Sequence, residues 1–299
     1  MSETATASSI HVSDRDGVRT VTLNRPERGN SIHGTLLAEL LESVESADRH
    51  SDVRAVVTTG AGWAFCVGGD LDVFARLTST GPLDLAVTPV ETIGGSTGLE
   101  PLSAEQRAAD HLGTGIWVRR FLEVGTPTIA AINGATSGGG LAIALLHDVR
   151  IMARSARIHT GFAALGLSPE MGMSWLLPRM VGTSNAFRIL TTSQPISAAE
   201  ALNLGIVSEV VDDDDLGGVA LETAQSIART PDQTVRAVKR LLRQSWDSSL
   251  EQQLEREWSG MDRLFRSEYT RQRVVDVRAA LQQRRKLTTA TQDARGAKP

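Results

Sequence analysis

The stretch NGATSGGGLAIALLHD, residues 133–148, decides how the rest of this chain is interpreted. It follows TIAAI, residues 128–132, a short apolar run typical of a buried strand. Three successive glycines let the backbone approach a ligand closely just before a predicted helix. Free N–H groups at a helix start favour negative charge, so the pattern indicates a phosphate or oxyanion site. Alone, it fits a tight turn or close packing equally well.

A second stretch of the same kind, AFCVGGDL, covers residues 64–71. It follows a strand-like run, Val53–Thr59, and its glycines again precede a predicted helix with Asp70 as the N-cap residue. Two such turns can converge on one oxygen atom. The pair therefore favours a site that binds an oxyanion through main-chain N–H groups.

Four segments together resemble the crotonase (enoyl-CoA hydratase/isomerase) superfamily: TLNRPERGNSI (22–32), AFCVGGDL (64–71), NGATSGGGLAIALLHDVRIMA (133–153) and ISAAEALNLGIVSEVV (196–211). The likeness runs in order from about residue 10 to residue 285, which makes it more specific than either glycine motif. It implies a thioester oxygen held by two backbone N–H groups, which motif alignment assigns to Cys66 and Gly139. It also implies catalysis through a thioester enolate.

The composition bounds the kind of protein. The chain has 299 residues, of which 41% are hydrophobic and 22% charged, enough to bury a large core. A net charge of −4 gives no general reason to expect nucleic acid or an anionic membrane as a partner. The single cysteine, Cys66, excludes an internal disulfide and fits a reducing compartment. Without an apolar run of transmembrane length or a signal peptide, we expect a cytoplasmic protein.

The order of predicted elements gives the fold class and the domains. Strands and helices alternate, which indicates an α/β protein, and the resemblance implies a crotonase-like spiral of ββα units with a C-terminal helical trimerisation region. We predict a disordered tail over residues 1–9, the spiral core with the oxyanion hole over 10–196, the helical region over 197–286, and a second disordered tail over 287–299. The resemblance implies a homotrimer or a hexamer built from two trimers.

Four local predictions accompany this division. Ile10–Val12 and Val18–Leu23 should form a hairpin, and Ala104–Glu123 should be helical. Residues 77–104 lack steady periodicity and are rich in Gly, Thr, Ser and Pro, which favours a mobile wall over the acyl pocket. The acidic run Asp212–Asp215 is better explained by helix capping than by a metal site. We therefore expect no metal and no cofactor apart from a CoA thioester as substrate.

The acid and base residues separate the possible reactions. Adding water to an enoyl thioester is work that paired carboxylates do well. Hydratases of the resembled family use two glutamates, which would fall at Ala142 and Phe162. Neither side chain transfers a proton, so ordinary two-glutamate hydration is disfavoured.

A carboxylate stands eight residues after Phe162, at Glu170 in GLSPEMGMSW. Some enoyl-CoA isomerases, including the ring-epoxide and Δ3,Δ2 types, carry an aspartate at this position, and the following SWLLPR segment also resembles theirs. Glu170 is the predicted catalytic residue, because an apolar pocket would raise its pKa and let it accept and return a proton. The alternative is that Glu170 simply favours the first turn of a helix.

Several further residues have a functional and a structural interpretation. Arg28 is a candidate CoA contact or a solvated loop residue, and the Cys66 thiol lacks a nearby His/Asp partner for nucleophilic work. His147 fits a packed, hydrogen-bonded role, whereas His159 is a lone strand histidine near the expected pocket. The complete set of predicted substrate and CoA contacts is Arg28, Ala64, Val67, Gly68, Gly69, Asp70, Leu71, Gly138, Ala142, Phe162 and Trp175.

Three functions remain open from the sequence. The leading hypothesis is an acyl-CoA enzyme that moves a double bond by shuttling a proton through Glu170. An atypical hydratase or thioester hydrolase would use Glu170 on water. A non-catalytic acyl-CoA-binding protein would keep the oxyanion turns without the acid and base pair.

Overall fold

A computed structural model describes residues 8–33, 35–79 and 114–296, with side chains described for 8–33, 35–75 and 114–283. Ten strands alternate with helices along it. The strands are β1 (Ile10–Arg15), β2 (Val18–Leu23), β3 (Ala55–Gly60), β4 (Ala64–Cys66), β5 (Thr128–Ile132), β6 (Ala135–Ser137), β7 (Val149–Ala153), β8 (Arg157–His159), β9 (Ile196–Ser197) and β10 (Glu209–Val211).

These strands form two sheets. The larger has the order β1-β2-β3-β5-β7-β10, and the smaller has the order β4-β6-β8-β9. In the larger sheet β1 runs antiparallel to β2, and every other neighbouring pair is parallel. Parallel strands are covered on both faces, which explains why TIAAI in β5 is buried at every position. The α/β prediction and the β1–β2 hairpin are confirmed.

The helices lie between and after the strands. The helices are α1 (Leu36–Arg49), α2 (Leu71–Ser79), α3 (Gly115–Glu123), α4 (Gly139–Leu146), α5 (Met173–Val181), α6 (Thr183–Thr192), α7 (Ala198–Asn203), α8 (Leu216–Ala228), α9 (Asp232–Gln244), α10 (Leu250–Phe265) and α11 (Glu268–Gly296). Helix α4 is buried all round, which is why its sequence is almost wholly apolar. In the described ranges, no helix combines the length and apolar character needed to cross a membrane.

Helix α3 is fixed against α1. The Trp117 indole is fully buried, and its Nε1–H donates to the Leu37 carbonyl oxygen at 2.7 Å. Further along α3, the Arg120 guanidinium makes two hydrogen bonds to the Glu45 carboxylate, at 2.7 and 2.6 Å. These contacts hold α3 against α1.

Several predicted boundaries are corrected by the structure. The chain divides into two units, Met1–Val235 and Arg236–Pro299, rather than at residue 196. Strand β10 lies in the segment predicted to be helical because it pairs with β7 and extends the larger sheet. Helix α11 continues to Gly296 through most of the predicted tail over 287–299.

The structure describes the end of the predicted N-terminal tail and the start of the predicted pocket wall. Ser9 belongs to the ordered chain, because its N–H donates to the Glu39 carboxylate at 3.0 Å. Of the predicted wall over residues 77–104, residues 77–79 complete α2, and residues 80–104 lie outside the described part. The predicted helix over 104–123 is described as α3, from Gly115.

Candidate active site

The two glycine-rich turns meet where β4 passes the start of α4. A Cβ atom added to Gly140 would lie 2.0 Å from the Cys66 carbonyl oxygen, a distance that real Cβ atoms do not reach. A Cβ on Gly68 would lie 2.7 Å from the Ser137 carbonyl oxygen and 3.3 Å from the Gly139 nitrogen. Glycine is therefore required here for close approach of two backbones rather than for a turn alone.

The Gly69 N–H is an unused donor at this junction. The Ile32 N–H donates to the Gly68 carbonyl at 2.7 Å, and the Asp70 N–H donates to the Ile32 carbonyl at 3.2 Å. In an extended segment successive N–H groups point to opposite sides, so the Gly69 N–H faces away from Ile32. Among the described residues it has no acceptor.

The Gly139 N–H is the second donor. Gly139 is the first residue of α4, so its N–H has no partner inside the helix and lies at the positive end of the helix dipole. The preceding Gly138 has a φ of 48°, and its own N–H donates to the His159 carbonyl at 3.3 Å. That arrangement turns the chain into the helix and leaves the Gly139 N–H available.

The structure does not bring Cys66, the predicted first donor, to the described cavity. Cys66 is fully buried, pairs with Thr136 in the smaller sheet, and is absent from the described lining of the cavity that Gly69 and Gly139 share. Burial also raises the pKa of its thiol to about 12, although a hydrogen bond from the Gly68 N–H acts in the opposite direction. The thiol is thus protonated at neutral pH, which agrees with the prediction that it is not a nucleophile.

A cavity of about 580 Å³ opens beside the two glycine N–H groups. Its apolar walls include Phe74, Phe162 and Leu165, and the carboxylate of Glu170 lies on the same lining. Val67, Gly68, Asp70, Leu71, Gly138 and Arg28 also line it, as predicted. A space of this volume and apolar character suits an acyl group.

The Glu170 carboxyl on this lining has a raised pKa. The residue is exposed, yet desolvation by the surrounding protein raises its pKa above the ordinary value for glutamate. A hydrogen bond from the Thr114 hydroxyl acts in the opposite direction. A carboxylate that exchanges protons near neutral pH needs a position on a cavity and a raised pKa, and Glu170 has both.

The backbone around Glu170 is tightly constrained. Met171 has a φ of 53°, which is unusual for a residue with a side chain, and Gly172 follows with a φ of 75°. The Glu170 carbonyl accepts the Met173 N–H at 3.1 Å, which closes this turn before α5. The Met171 sulfur would lie 3.3 Å from a Cβ on Gly139, so the turn carrying Glu170 packs directly on the oxyanion turn.

A buried carboxylate on the same lining, Asp70, is paired with arginines. Asp70 is buried, and it accepts hydrogen bonds from Arg28 at 2.9 Å and from Ser31 at 3.2 Å, with the Arg25 guanidinium 3.6 Å away. Burial opposes its ionisation, but the bonds from Arg28, the Asp72 N–H and Ser31 together lower its pKa. Asp70 is thus a fixed anion rather than a proton carrier, and it holds the predicted CoA contact Arg28 at the cavity mouth.

The two histidines have structural surroundings. The His147 side chain is buried, with Nδ1 2.8 Å from the Ile143 carbonyl oxygen and Nε2 2.8 Å from the Thr58 hydroxyl. The prediction of a packed, hydrogen-bonded His147 is confirmed. His159 lies in β8, where its carbonyl holds Gly138, and it is not among the described residues of the cavity lining.

Three predicted contact residues are not brought to the described cavity lining. Ala64 is buried in β4 and its carbonyl accepts the Asn30 amide at 2.7 Å. Ala142 is buried inside α4. The Trp175 ring lies under the Arg179 guanidinium, 4.1 Å from the ring centroid. The nearest residues in sequence that do line the cavity are Val67, Gly139 and Glu170, three to five positions away, so motif position alone assigned these three residues to it.

Comparison with known proteins agrees with this architecture. A family model described as enoyl-CoA hydratase/isomerase matches residues 13–84 and 104–282. The chain belongs to the enoyl-CoA hydratase/isomerase family. The crotonase resemblance drawn from the four sequence segments is therefore confirmed.

Individual members of the enoyl-CoA hydratase/isomerase family are similar over most of the chain. The chain is 34% identical to 1,2-epoxyphenylacetyl-CoA isomerase of Escherichia coli K12, covering 81% of this chain and 84% of that enzyme. It is 40% identical to the probable enoyl-CoA hydratase echA12 of Mycobacterium leprae, covering 72% and 66% of the two chains. A crystal structure of an enoyl-CoA hydratase from Geobacillus kaustophilus superposes on this chain with a TM-score of 0.77 at 28% identity. The match covers 91% of this chain and 96% of that chain.

Two features of this enoyl-CoA hydratase/isomerase-family site escaped sequence reasoning. Gly69 was predicted as a binding residue but not as the N–H donor, and only its bridge to Ile32 reveals which way that N–H points. Thr114 received no role, because it stands just before a short helix in a segment without clear periodicity. It lies 56 positions before Glu170, so no local pattern links it to the pKa of that carboxyl.

Proposed function

We propose that this chain is an enoyl-CoA double-bond isomerase in which Glu170 carries the proton. The substrate is an acyl-CoA thioester whose carbonyl oxygen accepts hydrogen bonds from the Gly69 and Gly139 N–H groups. Gly69 takes the place that the sequence alone gave to Cys66. No cofactor or metal takes part in this proposal.

The proposed reaction moves one proton and one double bond. The Glu170 carboxylate removes a proton from C2 of a 3-enoyl thioester, and the electron pair passes into the C1 carbonyl to form the enolate. The same carboxyl then returns a proton to C4, which moves the double bond from C3–C4 to C2–C3. Each N–H donor would stabilise the enolate oxygen by about 3 kcal/mol in the transition state.

The observation that carries the proposal is the position of Glu170. It lines the same cavity as Gly69 and Gly139, and its pKa is raised by desolvation. Of the other described carboxylates on that lining, Asp70 and Asp72 bond to Arg28. Glu170 is therefore the best candidate for repeated proton transfer.

Ordinary hydration fits this cavity poorly. Phe162, at one of the two hydratase glutamate positions, is 8% exposed and lines the cavity, with its ring edge 4.0 Å from where a Cβ on Gly138 would be. Ala142, at the other position, is fully buried. An apolar ring beside the oxyanion turn excludes water from the place where a hydratase would hold it.

The test is turnover of cis-3-hexenoyl-CoA by the full chain. We expect conversion to trans-2-hexenoyl-CoA, and in deuterated buffer part of the product should keep the hydrogen removed from C2, because one carboxyl takes it and returns it. Glu170→Gln should lower kcat by about 10²–10⁴-fold. Glu209→Gln, an exposed change on β10, should leave it unaltered.

The pH dependence follows from the direction of the pKa shift. The carboxylate must be ionised to act as the base, so kcat/KM should rise with pH as Glu170 loses its proton. Because desolvation raises that pKa, the midpoint should lie above the ordinary value for a glutamate. Full isomerase activity in Glu170→Gln would remove Glu170 from the mechanism.

Use of Glu170 on water is the second candidate function, because the residue keeps an exposed edge that water can reach. An atypical hydratase would convert trans-2-hexenoyl-CoA to a hydroxyacyl-CoA, and a thioester hydrolase would release free CoA. Binding of these thioesters without turnover would favour the non-catalytic alternative.

A further inference from the structure

The carboxylate of Asp70, on the cavity lining, is bound at both of its oxygens. The side chain is buried. Its Oδ1 accepts hydrogen bonds from the Arg28 guanidinium at 2.9 Å and from the Asp72 N–H at 3.0 Å. Its Oδ2 accepts the Ser31 hydroxyl at 3.2 Å, and the Arg25 guanidinium lies 3.6 Å away. The carboxylate is therefore held from several directions at once.

Three partners of this carboxylate come from one loop, residues 25–31. Within the loop, the Arg25 N–H donates to the Asn30 side-chain oxygen at 2.8 Å, and the Arg25 guanidinium donates to the Ser31 carbonyl at 3.1 Å. The Asn30 amide in turn donates to the Ala64 carbonyl in β4 at 2.7 Å. The loop is thus bonded to the smaller sheet and provides a fixed support for the carboxylate.

The same loop leads into the residue that lies beside the proposed donor Gly69. Ile32 forms a parallel bridge with Gly69, and its N–H and carbonyl bond to the Gly68 carbonyl and the Asp70 N–H at 2.7 and 3.2 Å. These main-chain bonds set the direction of the Gly69 N–H. The Asp70 side chain adds a second link between the loop and the turn, directly after the donor.

We propose that Asp70 is the positioning residue for the Gly69 N–H, holding this donor so that it points at the thioester oxygen together with the Gly139 N–H. This inference rests on the proposed function, in which Gly69 is an oxyanion donor. Such a donor acts when it points at the place where charge develops, and a displacement of about 1 Å can cost about a hundredfold in rate.

The charges around Asp70 are compatible with this role. An unpaired carboxylate next to the oxyanion turn would be costly to bury and would oppose the negative charge on the enolate oxygen. Arg28 and Arg25 compensate the charge of Asp70, and Arg28 also pairs with Asp72. The side chain can therefore hold the turn as part of a paired network.

The first experiment compares Asp70→Ala with Asp70→Asn in the full chain. Asparagine keeps the shape of the side chain and an oxygen that can accept the Asp72 N–H, whereas alanine removes both. With cis-3-hexenoyl-CoA, we expect Asp70→Ala to lower kcat by about tenfold to a hundredfold with a smaller change in KM. Asp70→Asn should recover most of this loss.

Asp14→Ala is the matched control. It breaks another aspartate–arginine pair, in the β1–β2 hairpin, where the Arg19 guanidinium donates to the Asp14 carboxylate at 2.8 and 2.7 Å. Neither residue is on the described cavity lining. This variant should keep the kcat of the wild type.

A second measurement reports on the oxyanion site without turnover. Acetoacetyl-CoA loses a proton from C2 to form an enolate that absorbs in the near ultraviolet, and two N–H donors at its thioester oxygen should raise the bound enolate fraction above that in free solution at the same pH. Asp70→Ala should lower this fraction toward the solution value. Ser31→Ala removes one donor to Asp70 and should lower the enolate-to-keto ratio by about twofold to tenfold. That variant decides the question if Asp70→Ala does not fold.

The outcomes separate this inference from the proposed function. If the wild-type chain raises the enolate fraction but does not isomerise cis-3-hexenoyl-CoA, the proposed function fails, and the enolate fraction in the variants decides the role of Asp70. A wild-type chain that leaves the fraction unchanged would contradict the Gly69 donor and this inference together. In an active chain, Asp70→Ala with unchanged kcat and enolate fraction overturns the inference. A rise in KM alone, an Asp70→Asn variant as impaired as Asp70→Ala, or an equal loss in Asp14→Ala would also overturn it.

Discussion

At the scale of single residues, the chemistry of this site depends on which side chains are apolar. Phe162 and Ala142 stand where a two-glutamate hydratase needs carboxylates, and Glu170 is the carboxylate left beside the oxyanion turns. A general acid or base contributes about 10²–10⁴-fold to a rate, so moving one carboxyl between two positions is enough to change the dominant reaction.

Phe162→Glu should therefore introduce hydration. The new carboxylate would enter the cavity near Gly138, where it can hold and deprotonate a water molecule. We expect the rate of 3-hydroxyacyl-CoA formation from trans-2-hexenoyl-CoA to rise at least about tenfold above the wild-type background. Product analysis by liquid chromatography measures it.

Phe162→Leu is the matched control, because it changes the ring but stays apolar. This variant should not hydrate the substrate. Equal hydration by the leucine and glutamate variants would show that space rather than the carboxylate admits the reaction, and would contradict the role given to the position.

At the scale of elements, the decisive contact is between strand β4 and helix α4. The Gly140 Cα lies against the Cys66 carbonyl, and the Met171 turn packs on Gly139 from another side. Three segments distant in sequence thus meet within one or two residues of the two proposed donors.

Gly140→Ala should destabilise the protein. Its added methyl group would lie 2.0 Å from the Cys66 carbonyl oxygen, so the helix and strand must separate. We expect a loss of about 1–3 kcal/mol in the free energy of unfolding, measured by urea denaturation. Gly218→Ala in α8, where a Cβ meets nothing within 4 Å, should instead stabilise by about 0.4–1 kcal/mol. Similar effects of the two substitutions would refute the argument from close approach.

The sequence predicts those strands, turns and helices whose pattern lies within a few neighbouring residues. The buried run of β5, the glycine turn before α4 and the hairpin β1–β2 are all encoded within a few residues, and the structure has them. Strand β10 was missed because three residues within a helical region become a strand only by pairing with β7. The choice of Gly69 as a candidate donor depends on which way its N–H points after folding, and residue types do not specify that.

At the scale of the whole molecule, helix α10 presents an apolar stripe to solvent. Its members recur at helical spacing and are 53–71% exposed: Leu250, Leu254, Trp258, Met261 and Phe265. An exposed stripe of this extent is typical of an interface between chains, which accords with the homotrimer or hexamer implied by the resemblance.

Trp258→Glu should weaken that assembly. A charge in the middle of the stripe would have to be desolvated on association, so the variant should elute as a smaller species than the wild type. Size-exclusion chromatography with light scattering measures the mass. Arg263→Glu places the same residue on the opposite face of α10 and should leave the mass unaltered. A monomeric wild-type chain would contradict the assembly itself.

The contact between Gly140 and Cys66 also limits what this catalyst can adapt. The two backbones are in direct contact there without any intervening side chain. The fold therefore fixes the distance between the Gly69 and Gly139 N–H groups, which does not adjust to a bulkier acyl group. Under the proposed function, tolerance for different acyl groups would then depend on the apolar walls of the cavity, while the two N–H groups would bind every thioester in the same way.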